Sequence, residues 1–271
     1  TPDGVFFVSA CLDERPMLRE AKTGNWIGSF IGHEGAVWSA KVNREATYVV
    51  TASADFTGKL WDATNGSLIH TFLQKHIVKA AAINYDSSLI AFGGKSKEVN
   101  IYSTSSFELI STYLFDEEVA FIQFCPLPSK SSLMVCAGLS GKIVLLDASS
   151  PVPELRSVQL TDIILDVSLS GDIIAIASCH GVRFLSWELE MMNKKDYPFH
   201  INSCDLNQSH TRYLVSDMNI IYEVDFQSHN ILACYHGHHG TVHSLRYCSE
   251  CDSFISGSDD SSIRLWMVDR N

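Results

Sequence analysis

The sequence contains one long stretch twice. GHEGAVWSAKVNREATYVVTASADFTGKLWD, starting at Gly32, lies over GHHGTVHSLRYCSECDSFISGSDDSSIRLWM, starting at Gly237. His33 and Asp55 are 22 positions apart, as are His238 and Asp260; His33–Trp61 and His238–Trp266 both span 28. The two histidines are separated by 205 residues, five periods of 41. A period in the low forties is that of a unit of four short strands, and it constrains the fold more than any other feature of the chain.

The same ruler finds the units in between. First strands carry apolar triplets: Val37–Ala40–Val42, Val78–Ala81–Ile83, Val119–Ile122–Phe124, Ile164–Val167–Leu169, Ile201–Cys204–Leu206 and Val242–Leu245–Tyr247. Second strands recur at FFVSA, YVVTA, LIAFG, LMVCA, IIAIA, YLVSD and FISGS, and third strands at MLRE, GKLW, VNIY, KIVLL, VRFLSW, IIYEV and SIRLW. These runs are rich in β-branched and aromatic residues and are bounded by Gly, Asn, Asp and Ser. Sustained helical periodicity is absent. The expectation is an all-β fold of seven units forming one domain over residues 1–271. The first unit lacks its opening strand and the last its closing strand, and an upstream half-repeat is expected to supply both and remove the open edges.

GH opening a unit and LWD closing its third strand resemble the WD-repeat family of β-propellers. The resemblance implies seven blades, with a hydrogen-bond network on His33, Ser53, Asp55 and Trp61 and again on His238, Ser258, Asp260 and Trp266. Thr51 and Ser256 share the strand faces of Ser53 and Ser258 and are the alternative hydroxyls. Elsewhere the network decays: Ser96, Ser140 and Gly181 stand at the Asp position, Tyr102 and Leu146 at the Trp position, and the first unit keeps Asp13 but has Arg19 in place of Trp. Most blades are therefore expected to rely on apolar packing.

His33, Ser53 and Asp55 are also the residue types of a hydrolytic triad, which requires one pocket where a base activates a hydroxyl. Recurrence of the set at equal spacing favours a structural joint over chemistry, and no catalytic residue is assigned. In the family, partner contacts come from the residue after the first apolar position of the first strand and from the residue before the turn Asp. The resemblance thus points to Trp38, Lys79, Ala120, Asn202 and His243, and to Ala54, Lys95, Leu139 and Asp259. Trp38 is either an exposed anchor, which interfaces favour, or packing against a neighbouring blade.

Other motifs have plainer explanations. GGKS at 93–96 echoes a phosphate loop, but Leu89 stands where the leading glycine belongs and no helix follows. CSEC at 248–251 is a C-x-x-C with no second ligand pair at zinc spacing, so neither metal nor cofactor is expected. The eight cysteines, mostly single within apolar runs such as VSACL, MVCAG and IASCH, suit buried reduced thiols in the cytoplasm or nucleus. No apolar run approaches the roughly 20 residues of a membrane-spanning helix. A net charge of −11 repels phosphate, so direct nucleic-acid binding is not expected.

NWIGSFIGHEGAVW, ADFTGKLWDATNG and KHIVKA resemble an adaptor branch of the family more narrowly. That likeness implies a monomeric, non-enzymatic scaffold within a larger complex. Its implied partners are proteins of ribonucleoprotein assembly and mRNA splicing (the survival-of-motor-neuron complex), an RNA-binding protein, and receptor-kinase signalling components. A subunit of translation initiation factor three is the alternative adaptor role, and a propeller enzyme the disfavoured alternative.

Overall fold

In the computed structural model, residues 1, 4–150, 153–248 and 253–268 are described. They hold 26 strands in seven antiparallel sheets, five of four strands and two of three. The three-stranded sheets are the first, β1 (Phe6–Ser9) to β3 (Trp26–Ser29), and the last, β24 (Val242–Cys248) to β26 (Ile263–Met267). Every sheet pairs its strands in chain order, as a meander of short hairpins. This is the all-β, seven-bladed β-propeller, with the first and last blades short of one strand each among the described residues. Every first, second and third strand read from the repeat coincides with a strand to within about two residues, the usual uncertainty of element ends.

Two compact units divide the chain, residues 1–157 and 158–271. In the first, β4 (Val37–Val42) packs on β8 (Val78–Ile83), and β8 on β12 (Val119–Phe124). Leu60, Phe72, Ile90 and Phe92 fill the space between two of its sheets, and Ile101, Ile122, Met134 and Val144 the next. In the second unit, β16 (Ile164–Ser170) packs on β20 (Ile201–Leu206) and β20 on β24, with Phe184, Tyr213 and Val215 in one core cluster and Val242, Leu245 and Phe254 in another. Each such side chain, fully buried, contributes about 1.5–3 kcal/mol.

Position within a sheet explains composition. The second strand runs in the middle of its sheet, hydrogen-bonded on both edges, and β17 (Ile173–Ser178, IIAIAS) is buried at all six positions. Outer strands keep one wet face: β11 (Leu109–Leu114) and β23 (Ile231–His236) alternate exposed and half-buried after two exposed aliphatics. The cysteines divide by the same rule. Cys125, Cys136, Cys204 and Cys248 are buried, whereas Cys11 and Cys234 are exposed and Cys179 is half-buried. Burial expected for the thiols of VSACL and IASCH is thus not observed: Cys11 lies two residues past the end of β1, and Cys179 is in the turn directly after β17. The rest of CSEC, residues 249–251, lies outside the described residues.

One irregularity repeats. The first strand shifts register after its opening residue at Val37/Ser39, Val78/Ala80, Val119/Phe121, Ile164/Asp166 and Val242/Ser244. Such a bulge leaves one residue without a cross-strand partner and re-aims its side chain. The unpaired residues are Trp38, Lys79, Ala120, Leu165 and His243. In β20 the gap runs from Ile201 to Cys204 and takes in Asn202.

Candidate functional site

The second sheet, β4 to β7 (Leu68–Leu73), holds the better buried copy of the repeated constellation. His33 sits in the loop before β4, Thr51 on β5 (Tyr48–Ser53), Asp55 in the turn after it and Trp61 on β6 (Thr57–Asp62). His33 Nδ1 lies 2.7 Å from Asp55 Oδ2 and Nε2 lies 2.6 Å from Thr51 Oγ1. The indole of Trp61 donates to the same hydroxyl at 2.9 Å. Only one proton arrangement satisfies all four groups. Trp61 donates to Thr51, Thr51 donates to Nε2, and Nδ1–H donates to the carboxylate, so the imidazole is neutral.

The electrostatics agree with that arrangement. Burial pulls His33 below its ordinary value, against the opposing pull of Asp55. Asp55 is itself held low: burial pushes it up, but bonds from Thr57, His33 and the Glu34 amide outweigh that. The carboxylate accepts from the Thr57 amide at 2.9 Å and hydroxyl at 2.6 Å, and from the Glu34 amide at 3.1 Å. Gly35 is required by closeness: a Cβ there would lie 2.9 Å from the Asp55 amide nitrogen.

The last sheet repeats this joint. His238 Nδ1 is 2.8 Å from Asp260, Nε2 is 2.6 Å from Ser256 Oγ, and Trp266 donates to Ser256 at 2.7 Å. Hydrogen bonds from the Ser262 hydroxyl and the His239 amide hold Asp260 low. A Cβ at Gly240 would come within 2.8 Å of the Asp260 amide. The Asp–His–Ser order matches a hydrolytic relay, but the oxygen of Ser256 is fully buried and already takes the indole hydrogen bond. Attack needs an open approach to that oxygen, and the joint closes it.

The surface residues present a different picture. Trp38, set free by the bulge in β4, is 47% exposed. Lys79, at the same place in β8, puts its ammonium 4.8 Å from the Trp38 ring centre, a cation–π distance. It also pairs with Glu118, just before β12, at 3.1 Å. Three successive blades thus contribute a row of indole, ammonium and carboxylate. Phe56, in the adjoining turn, is also 47% exposed, holds a left-handed φ of 68° and lies 5.5 Å from the His76 ring. Bulky residues avoid that backbone region, where a turn here requires one. In the second unit, His243 and Asp259 meet as an exposed pair at 2.9 Å. Lys95 is exposed at its turn, and Asn202 is half-buried.

A profile described as "WD domain, G-beta repeat" matches residues 24–62 and 229–267, the two spans that hold the complete joint. The serine-threonine kinase receptor-associated protein of Gallus gallus is 34% identical over 272 residues, covering 99% of this chain and 77% of its own length. The chain belongs to the WD-repeat family of serine-threonine kinase receptor-associated proteins. The Homo sapiens relative is 33% identical over 276 residues, with the same two coverages. More distant is the eukaryotic translation initiation factor 3 subunit I of Caenorhabditis elegans, 24% identical over 301 residues, 99% of this chain and 91% of its own length.

Within this family member, the joint differs from the sequence expectation at one atom. Ser53 and Ser258 do not bridge His and Trp; Thr51 and Ser256 do. Strand geometry decides it, since Trp61 pairs with Val49, and a residue two positions further along the strand lies about 6.6 Å away. Thr51 is within diagonal reach of the indole, whereas Ser53 lies a further two residues towards the turn. Ser53 instead donates to the Gly35 carbonyl at 2.9 Å and accepts from the Asp55 amide, pinning loop to turn; Ser258 does the same with Gly240 and Asp260.

Two polar clusters escaped the sequence reading. In the third sheet Gln74 stands four residues before Val78, as His33 stands before Val37. It donates to Tyr102 Oη at 2.9 Å and accepts from Asn100 at 2.8 Å, a joint rebuilt from other residue types. In the second unit Arg246 forms a two-pronged bond to Asp166, 2.8 Å at each contact, across 80 residues of sequence. Ser203 donates to the same carboxylate, and the Tyr247 amide to Asp205 at 2.7 Å. Burial pushes Asp205 up to about 6 against the pull of Arg246 and that amide. The available signal was the interruption of apolar first strands by Asp166, Ser203, Asp205 and Arg246. Among the described residues no helix is long and apolar enough to cross a membrane.

Proposed function

We propose that the protein is a non-enzymatic adaptor whose partner docks on the face carrying Trp38, Lys79 and Phe56. A single observation carries this reading: two successive bulges present the Trp38 indole and the Lys79 ammonium, in a row with the Glu118 carboxylate from the loop before β12, while the His33 joint behind them is buried and paired. Exposed aromatic residues on a rigid strand lose little entropy on binding and are typical interface anchors. The names of the relatives support adaptor work in serine-threonine kinase receptor signalling. We extend this to ribonucleoprotein assembly and splicing complexes in cytoplasm and nucleus, including the survival-of-motor-neuron complex. There the chain would act as a monomer touching RNA only through its protein partners. Lys95 in the first unit, and Asn202, His243 and Asp259 in the second, are further candidate contact residues of the same proposal.

The likeness to a translation initiation factor subunit favours one second reading, a place in an initiation complex. Affinity purification of the tagged chain with mass spectrometry separates the two. Recovery of ribonucleoprotein-assembly proteins, lost in Trp38→Ala, is the expected result. Recovery of initiation-factor subunits instead, or unchanged recovery in the folded variant, overturns it.

A further inference from the structure

In the fifth sheet, β16 to β19 (Met191–Asp196), the corner that the joint occupies elsewhere is built differently. Leu160 stands four residues before Ile164, where His33 precedes Val37, so no imidazole fills the interior. The second and third strands are closed by two residues, Cys179 and His180, since Ser178 pairs directly with Gly181. Asp162, at the place of Gly35, comes up from the loop before β16. The donor atoms of Asp162, Cys179 and His180 all lie within 4.8 Å of one another.

We propose that Asp162, Cys179 and His180 bind a divalent cation of the zinc class. Cys179 Sγ is 3.0 Å from His180 Nδ1, and that nitrogen is 3.9 Å from Asp162 Oδ1. Ligands placed tetrahedrally at zinc bond lengths are about 3.3–3.7 Å apart. The two observed separations fall on either side of that range, and with all three donors within 4.8 Å of one another, side-chain rotations at Asp162, Cys179 and the exposed His180 bring them onto one ion. Thiolate, imidazole and carboxylate together suit zinc or cobalt rather than magnesium or calcium, which prefer oxygen alone. The His180 side chain is 74% exposed, which leaves an entry path and a fourth position for water.

The surroundings already orient the carboxylate. Arg183 Nη2 holds Asp162 Oδ2 at 3.1 Å, leaving Oδ1 turned towards the imidazole. Asp196 pairs with the same guanidinium at 2.7 Å and offsets its charge against an incoming cation. Outer contacts of this kind fix ligands in known metal sites. Binding converts the thiol to thiolate and releases its proton to solvent.

The test is titration of the metal-free, untagged chain with cobalt(II), then competition with zinc(II). One saturable ion per chain is expected, with a thiolate-to-cobalt charge-transfer band, released protons, and protection of Cys179 from alkylation. Cys179→Ser, a conservative change in a surface turn, should abolish the band, and Asp162→Asn should weaken binding at least tenfold. Cys234→Ser, at an exposed thiol of the same unit, should leave both unchanged. Non-saturable binding, or a band that survives in folded Cys179→Ser, overturns the assignment. Circular dichroism of each variant confirms that a loss reflects the ligand and not the fold.

Discussion

The second and fourth sheets close the same corner in opposite ways. In the second, His33, Thr51, Asp55 and Trp61 form a polar chain inside the blade. In the fourth, β12 to β15 (Glu154–Gln159), the matching positions hold Phe115, Cys136, Ser140 and Leu146. Phe115, Cys136 and Leu146 belong to one buried apolar cluster. The carboxylate has changed sides: Glu117, from the loop, accepts from the Ser140 amide at 3.0 Å and from its hydroxyl. The backbone corner thus needs its loop tied to its turn, but it accepts either filling. A polar filling tolerates no single deletion, since each loss strands a buried partner, whereas an apolar one loses only contact area.

The contrast can be attacked most strongly at the large side chains. Trp61→Ala should lower the unfolding free energy by about 3–5 kcal/mol, because it removes a fully buried ring and leaves the Thr51 oxygen without its donor. Urea denaturation measures it. A loss below about 1 kcal/mol would mean the corner collapses freely.

Next in size is a pair of mirror-image changes. Thr51→Val should cost about 1–3 kcal/mol for each of the His33 and Trp61 groups it leaves unpaired, and Cys136→Ser in the apolar corner about 1–3 kcal/mol for an unpartnered hydroxyl. Ser53→Ala should cost less than Thr51→Val, at about 1 kcal/mol. Equal costs for Thr51→Val and Ser53→Ala would return Ser53 to the role first expected of it.

The two corners also differ in acid. The folded-state value of His33 is depressed, so the unfolded chain takes this proton first and stability falls as pH drops through 6.5. Asp55, also depressed, adds a further loss below 3.8. His33→Gln, which copies Gln74 of the neighbouring sheet, should flatten thermal stability between pH 6.5 and 5 while a loss below 3.8 remains, because Thr57 and the Glu34 amide still hold Asp55 low. An unchanged slope would place the titration elsewhere.

The smallest effect on stability belongs to the surface row. Trp38→Ala should leave the unfolding free energy measured in urea within about 0.5 kcal/mol of the parent, as expected of an exposed side chain away from buried groups.

The strands and the joints were legible because both rest on spacing. Apolar, β-branched runs bounded by turn residues place β5 and β17, and the 22- and 28-residue intervals place His33 against Asp55 and Trp61. Three features were not legible, each for a physical reason. Thr51 and Ser53 share a face, so sequence cannot say which one the indole reaches. The bulges depend on how a first strand meets its neighbour, although they account for the position of Trp38. Arg246 and Asp166 come together from 80 residues apart, and Gln74 replaces His33 with a residue of different shape, so no spacing rule links them.

The account turns on separating the joint from the working surface, and partner capture per folded molecule tests that directly. Thr51→Val and Trp38→Ala are measured side by side, with folded fraction taken from their denaturation curves. The prediction is that Thr51→Val loses stability yet captures as much partner per folded molecule as the parent, while Trp38→Ala keeps its stability and loses capture. Full capture by Trp38→Ala, together with loss of capture by fully folded Thr51→Val, would contradict it.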